Sequence, residues 1–506
     1  MLRFIDSLLD RTTMYRLLLY YLIFLLAAAF LLSEAGRLHY NAFAIVLSAT
    51  YLTAVCWISN AVFAYAFDAP TNKESSLITA LILALIITPV TTLAGALFLT
   101  AAGGLAVASK YMLAIGKKHI FNPAAVAVVL TAWGAGQTAG WWVGSAPMLP
   151  FVIAGGLLLA RKVRHWQMIL SFVAVTYVAT IVYTLLSHGH VAGTLHQITF
   201  SSALFFLAFV MLTEPVTSPN STGKQRWYAG LVGLLFPPQV HLGTLYGTPE
   251  LALVVGNIFT YLAEPKAKLF PTLIRKTKLA AGMAEFAFKP DREFSYEPGQ
   301  YMEWTLPHPH SDSRGDRRYL TLASSPTEPE IRVGVRFYSN GSTYKEAMLQ
   351  MDGDTPIVAA QLSGDFTLPQ DPAVKLAFIA GGIGVTPYRS MLKYLLDKDE
   401  RRDVTMLYSA KQAEEVVYKD IFDEARQRLG ARITYCLTGG GPGRDTGHYR
   451  HGYIDAQVIE REIPDYEERL FYISGSHDMV NGVRDALHEL GVNRSRIKTD
   501  FFPGYQ

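Results

Sequence analysis

The sequence predicts three parts in one chain: a polytopic α-helical membrane domain of about ten helices, an antiparallel β-barrel, and a doubly wound α/β domain. Three observations predict this. The 506 residues are 50% hydrophobic and only 17% charged, where a soluble domain has about a quarter charged. The shortfall sits in one half, since residues 1–265 hold 21 charged side chains and the other 241 residues hold 66. The pattern also changes near 266, from long apolar runs to short alternating strands and then to strand–helix alternation. The predicted boundaries are 1–265, 266–370 and 371–506.

A helix crossing the hydrocarbon core needs roughly 17–25 mostly apolar residues. Ten stretches qualify, near 16–33, 43–66, 76–90, 92–109, 119–134, 143–160, 167–187, 197–213, 227–240 and 249–263. Several are short or hold Gly and Pro, which buried backbone tolerates when it lines a protein cavity. The first run reads as an anchor, because more apolar runs follow and no small-residue cleavage site does. Positive charge gives the orientation. Arg3, Arg11 and Arg16, then Lys73, then Lys110, Lys117 and Lys118, then Arg161, Lys162 and Arg164, then Lys224 and Arg226 all fall on one side. The opposite loops carry only Arg37. Basic loops stay cytoplasmic, so both termini and the soluble half are expected on the cytoplasmic face of the inner membrane.

Composition also excludes functions. A net charge of +3, with no basic block, gives no reason to expect nucleic acid. Cys56 and Cys436 lie in different halves, too few for a structural zinc site or a cysteine-held cluster, and no metal is expected. No carboxylate stands in mid-span, and Glu214 sits at a helix end. The histidines of this half lie at helix ends or in loops, which argues against paired ligands for a membrane haem. Two polar stretches remain. Lys117 to Ala124 enters the fifth helix with Asn122 as N-cap and Pro123 in the first turn. Such a helix start favours an anion. Residues 212–226 form a second polar turn on the same side, and both can face a bound headgroup.

Four segments resemble the NqrB/RnfD membrane family of the Nqr and Rnf redox complexes. They are Asn72 to Ala80, Phe121-Asn122-Pro123-Ala124, Gly155-Gly156 through Arg161-Lys162, and Thr213-Glu214-Pro215-Val216-Thr217-Ser218-Pro219. The resemblance implies a domain that carries electrons through flavin, in part FMN esterified to threonine. Where that motif is expected the chain reads Val143-Gly144-Ser145-Ala146-Pro147. Alanine cannot form a phosphoester, so FMN is not expected to be esterified at that position; Ser145 is a weak substitute, and a non-covalent flavin or a quinone is the other occupant. Asn122 is the residue expected to touch it.

The soluble half carries its own motifs. Arg318-Tyr319-Leu320-Thr321-Leu322-Ala323-Ser324 is followed by Gly341-Ser342-Thr343, which opens a helix. Ala380-Gly381-Gly382-Ile383-Gly384-Val385-Thr386-Pro387 ends a hydrophobic strand, where glycines let backbone approach a dinucleotide. Ser474-Gly475-Ser476-His477-Asp478-Met479 lies behind it. The order and the motifs resemble the ferredoxin–NADP reductase superfamily. The resemblance implies FAD held by Arg318, Tyr319, Thr321 and Ser324, with its pyrophosphate at Gly341, Ser342 and Thr343. It implies NAD(P)H held by Gly381, Gly382, Gly384, Thr386, Pro387 and Gly475. Thr321 would bond the flavin near N5, Ser474 stands for the usual cysteine of the nicotinamide element, and Phe502 or Tyr505 would cover the flavin. Thr321, Ser474 and Phe502 are thus the expected catalytic groups.

The function these features imply is a membrane flavoprotein oxidoreductase. Electrons would pass from cytoplasmic NAD(P)H through FAD to the membrane domain, then to a flavin, a quinone or an extracytoplasmic acceptor. Ion coupling and other redox-complex subunits follow from the resemblance alone. The alternative is a membrane-anchored NAD(P)H diaphorase whose helices only hold it at the bilayer or move a flavin-like solute.

Overall fold

The computed structural model describes residues 9, 12–67, 73–115, 118–163, 165–243, 245–264, 268–312, 314–339, 341–439 and 447–501. The chain divides into two compact units, Met1–Ala267 and Lys268–Gln506.

The first unit is helical. Its helices are α1 (Met14–Glu34), α2 (Ala42–Ala66), α3 (Lys73–Ile86), α4 (Leu93–Met112), α5 (Pro123–Ala135), α6 (Leu149–Val163), α7 (Trp166–Leu186), α8 (Val191–Phe200), α9 (Leu204–Met211, mostly π-helical), α10 (Thr222–Leu235) and α11 (Pro249–Ala263). By length and composition α1, α2, α4 and α7 are long and apolar enough to cross a membrane, and the pair α8–α9, bent by 53°, makes a fifth span if counted as one. Shorter apolar helices, α3, α5 and α11 among them, occupy other stretches where spans are expected.

Burial explains the division of labour. α1, α2 and α7 expose large apolar side chains such as Phe24, Phe43, Trp57 and Leu170, as a lipid-facing surface does. α3 and α5 are apolar all round and buried, from Ala80 to Ile87 and from Ala124 to Val129, which places them in the interior. A helix that stops inside such a core leaves carbonyls needing donors. α3 finds them 55 to 58 residues away. The Trp142 indole N–H donates to Ala84 O (3.0 Å) and Ile87 O (2.9 Å), and the Trp141 N–H to Ile86 O (2.8 Å). Helices approach closely where side chains are small: a Cβ at Gly256 would stand 2.8 Å from the Tyr228 ring.

The second unit has two lobes. In the first, β1 (Thr272–Ala280), β2 (Met283–Lys289), β3 (Tyr301–Thr305), β4 (Arg317–Thr321), β5 (Ile331–Arg336) and β6 (Val358–Ser363) form two antiparallel sheets, ordered β1-β2-β5 and β6-β3-β4. Bridges Leu269–Ala359 and Leu322–Val333 connect them, and Phe286, Phe288, Trp304 and Val333 fill the space between. Helix α12 (Thr343–Gln350) adds Tyr344 and Met348 to that core.

The second lobe contains β7 (Leu376–Gly381), α13 (Thr386–Lys398), β8 (Val404–Ala410), α14 (Lys419–Leu429), β9 (Arg432–Leu437), β10 (Tyr449–His451), α15 (Ala456–Glu462), β11 (Leu470–Gly475), α16 (His477–Glu489) and β12 (Ile497–Phe501). The sheet order is β10-β9-β8-β7-β11-β12, with every pair parallel. The chain moves one way from β7 to β10 and then returns to the other side at β11. That reversal opens a crevice at the carboxyl ends of β7 and β11, the usual ligand position in such sheets.

Candidate functional site

The motifs named from the sequence stand at the ends of these elements. β7 ends in Gly381, and the tight turn Gly382–Val385 leads into α13, with Gly382 at φ 54° and Pro387 in the first helical turn. β11 ends in Ser474-Gly475, whose backbone packs against that turn. A Cβ on Gly384 would lie 2.7 Å from Gly475 Cα, and one on Gly381 would lie 2.6 Å from Met479 Sδ. Any larger residue at 384 would push the two strand ends apart, so glycine there lets the turn pack directly on Gly475. Tyr388 fastens the same strands from below, donating to Ile379 O (3.0 Å) and Tyr472 O (2.8 Å). Thr386 is buried and donates to Ile383 O, which shapes the turn.

On the other lobe, β4 pairs with β3 so that Thr321 faces Tyr301 and Arg318 faces Trp304. Thr321 is 3% exposed and Ser474 fully buried, yet neither hydroxyl has a hydrogen-bond partner among the described residues. Buried hydroxyls are almost always paired. Two unpaired ones, at the positions expected for flavin and nicotinamide, fit those groups as partners. Tyr319 is 44% exposed and meets Tyr301 edge-on.

The helix start expected to hold pyrophosphate carries dense positive charge. Arg318 lies over the Tyr344 ring at 4.9 Å, and its Nη1 donates to the carbonyls of Arg314, Gly315 and Arg317. Burial, with Arg318, Arg314 and Arg336 close by, holds Lys345 down at about 8. Crowded cations at a helix start are a ready place for an anion. Other donors there are already engaged. The Thr343 N–H donates to Asp312 Oδ2 (3.1 Å), while Thr343 Oγ1 accepts the Asp312 N–H and meets His308 Nε2. Ser342 Oγ caps the Lys345 N–H, and the Gly341 carbonyl accepts from Arg314. Burial would raise the Asp312 carboxyl, but hydrogen bonds from Arg314 and the Thr343 N–H bring it to about 2. Ser324 is spoken for too: its Oγ accepts the Arg332 N–H and pairs with the Tyr296 hydroxyl. Phe502 and Tyr505 lie outside the described residues.

In the first unit the two polar stretches meet. Asn122 caps α5, its Oδ1 accepting the Ala125 N–H, and its Nδ2 donates to Glu214 Oε2 at 2.8 Å. The Thr217 hydroxyl donates to the same oxygen, and His119 Nε2 stands 3.8 Å from Oε1. Asn257 on α11 closes the cluster, accepting the Asn122 N–H and donating to Thr217 O. Beside it lies a small, half-open pocket lined by Ile115, Lys118, His119, Ile120, Val216, Thr260, Tyr261 and Glu264. The buried Thr260 hydroxyl on its wall has no hydrogen-bond partner among the described residues. Sequence reasoning missed a buried carboxylate elsewhere in this unit. Glu250, in the first turn of α11, is 3% exposed and accepts from the Trp141 indole (3.0 Å). Its partner is 109 residues away, so no local signal marked it.

Comparison with known proteins agrees with this division. Residues 133–265 match the NQR2, RnfD, RnfE family, and residues 378–485 match the oxidoreductase NAD-binding domain. The chain is 27% identical to the stachydrine N-demethylase reductase subunit Stc4 of Rhizobium meliloti (strain 1021), over 46% of this chain and 67% of that protein. It is 26% identical to a glycine betaine monooxygenase reductase subunit of Chromohalobacter salexigens, over 43% and 59%. It is 25% identical to a flavohemoprotein of Bacillus subtilis (strain 168), over 46% and 58%. Among solved structures, it is similar to the flavohem-like FAD/NAD binding domain of nitric oxide dioxygenase from Vibrio cholerae O1 biovar El Tor. That similarity has a TM-score of 0.41 and 22% identity, covering 46% of this chain and 98% of that one. The chain thus spans about 58 to 67% of the curated relatives it matches. Its second unit is a reductase module of the NAD(P)H- and FAD-dependent type, joined in one polypeptide to an apolar helical unit of which residues 133–265 match the NQR2, RnfD, RnfE family model.

Proposed function

We propose that the protein is a membrane-bound flavoprotein that carries reducing equivalents from NAD(P)H on the cytoplasmic side to an acceptor at its membrane unit. The acceptor class is a flavin, a quinone or an extracytoplasmic species. The observation that carries the reading is the contact between Gly384 and Gly475 at the point where the parallel sheet reverses. The close packing of these two strand ends brings the glycine turn and Ser474 to the same edge of the sheet, which supports a nicotinamide bound over them.

The chain's own groups divide the work. Gly381, Gly382 and Gly384 admit the dinucleotide backbone, with Thr386 and Pro387 holding the turn rigid. Arg318 and Lys345 supply positive charge for a pyrophosphate at the start of α12, and Arg314 reinforces it. Thr321 and Ser474 offer buried hydroxyls that orient the two rings. FAD, when bound, supplies the conversion between a two-electron donor and one-electron acceptors. In the membrane unit, Asn122, Glu214 and the pocket beside His119 and Thr260 are the contact points for the acceptor. The basic loops on one side support a cytoplasmic position for both termini. Domain limits near 265 and 370 separate the three tasks.

Flavin analysis of the purified full chain tests this. Acid precipitation should release FAD, and any second flavin with it, because Ala146 offers no oxygen for a phosphoester and Ser145 is a weak substitute. NAD(P)H should bleach the bound FAD without an added protein. Flavin left on the precipitated chain, or FAD that NAD(P)H does not reduce, would sink the reading.

A further inference from the structure

One buried ion pair of the second unit lies outside the residues expected to hold either cofactor, yet it joins the segments that would hold each. Arg389 lies in the first turns of α13, three residues past Thr386, and is 4% exposed. Its Nη1 donates to Ala323 O at 3.0 Å. Its two terminal nitrogens face both oxygens of Glu328, with Nη2 to Oε1 at 2.9 Å and Nη1 to Oε2. Glu328 Oε2 in turn accepts the Ser325 N–H at 2.7 Å. The neighbouring Ser390 hydroxyl donates to Ser324 O at 2.6 Å. Three successive residues, Ala323, Ser324 and Ser325, are therefore tied to α13 or to its ion-pair partner. They begin two residues after Thr321. The Tyr418 ring lies 5.7 Å from the Arg389 guanidinium, while Arg332 stands 3.7 Å from Glu328 and bonds Glu285.

A buried ion pair is poor evidence of stability, because desolvation offsets its attraction and apolar residues of similar volume serve as well. What an apolar pair cannot supply is direction. A guanidinium fork fixes angles and distances to a carboxylate and a carbonyl together. Here the fork links the segment that follows the strand carrying Thr321 to the helix that follows the glycine turn.

We infer that Arg389, locked by Glu328, is a positioning residue that sets the gap between the flavin edge at Thr321 and the nicotinamide at Gly381–Gly384. The inference rests on the functional reading above for where the two rings lie. Reactions that need near-contact geometry lose about a hundredfold when groups shift by 1 Å, so loosening this tie should act on the rate of transfer more than on binding.

The test uses the purified full chain and its variants Arg389→Met, Arg389→Lys, Ser390→Ala and the double variant Arg389→Met/Glu328→Gln. Rapid mixing with NADH or NADPH gives the limiting rate of flavin reduction, the apparent dissociation constant and the long-wavelength charge-transfer absorbance. Melting temperature and FAD content are measured alongside. Arg389→Met should lower the limiting rate about tenfold or more and weaken the charge-transfer band, with the dissociation constant changed less than about twofold. Arg389→Lys should recover part of both, and Ser390→Ala should show a smaller loss. The double variant should regain melting temperature, since the carboxylate that lost its guanidinium fork is replaced by a neutral amide, but not rate. A normal rate and band in Arg389→Met would overturn the inference. So would rates that follow melting temperature across the set. Should Arg389→Met fail to fold, wild-type behaviour in both Arg389→Lys and Ser390→Ala would overturn it as well. Wild-type chain whose FAD is not bleached by either nucleotide defeats the functional reading itself, and the inference with it.

Discussion

Lys345 is a measurable handle on the FAD end of the site. Burial and three nearby guanidiniums hold it down at about 8, from 10.5. Because the folded value is depressed, the apo fold bears the cost of this ammonium below pH 8, and the cost is relieved as pH rises toward 10.5. A bound pyrophosphate would stabilise the charge and raise the value again. FAD binding must then take up a proton between the two values. Affinity for FAD should be flat below pH 8 and weaken above it, by up to about tenfold per unit. Titration of apoprotein by flavin fluorescence at pH 7 to 10 checks this. The Lys345→Met variant should bind more weakly at pH 7 and lose the slope. An unchanged slope would show that the phosphates lie elsewhere. The residues around it also show where sequence reading stops. Arg318 and Thr321 can be singled out from the sequence because their spacing along one strand is local. That Thr343 spends its N–H on Asp312, or that Ser324 is consumed by Arg332 and Tyr296, depends on a loop folding back from some 30 residues away or on cross-sheet packing. No local pattern encodes either.

At the scale of elements, apolar runs locate helices but not how those helices end. The run near 76–90 reads as a span; the structure gives a 14-residue helix stopped in the interior. Its carbonyls are satisfied by Trp141 and Trp142, which sit in what the sequence presents as a polar loop before the next run. A local window sees two aromatic residues there and no hint that their N–H groups serve as a cap. Trp142→Phe removes one donor from two buried carbonyls while keeping most of the ring volume. It should destabilise the first unit by about 1–3 kcal/mol, read as a lower melting temperature in detergent. FAD content of the second unit should stay unchanged. A melting temperature equal to wild type would mean that water reaches those carbonyls. The strand–helix alternation after 374 was easier to read, since each strand there is a short apolar run closed by Gly, Ser or a charged turn. The sheet's reversal between β7 and β11 was not, because strand order is set by pairing between distant segments.

At the scale of the whole molecule, the question is whether the membrane unit carries reducing equivalents or merely holds the reductase at a surface. Linking the two units covalently raises their effective concentration for one another, but an anchor alone would do the same for any soluble acceptor. The polar cluster at Asn122 separates the readings. A pure anchor has no need of a half-buried carboxylate held by three side chains where its helices end. Asn122→Ala in the full chain removes the Nδ2 donor to Glu214 and the cap on α5 together. In membranes or detergent, NAD(P)H-dependent reduction of ferricyanide, a small soluble acceptor that can take electrons at FAD, should stay within about twofold of wild type. Reduction of a quinone, or of an impermeant acceptor trapped on the far side of sealed vesicles, should fall by about tenfold or more. Equal loss of both activities would place the damage in folding. Equal retention of both would leave the cluster without a part in transfer and return the membrane unit to the role of anchor.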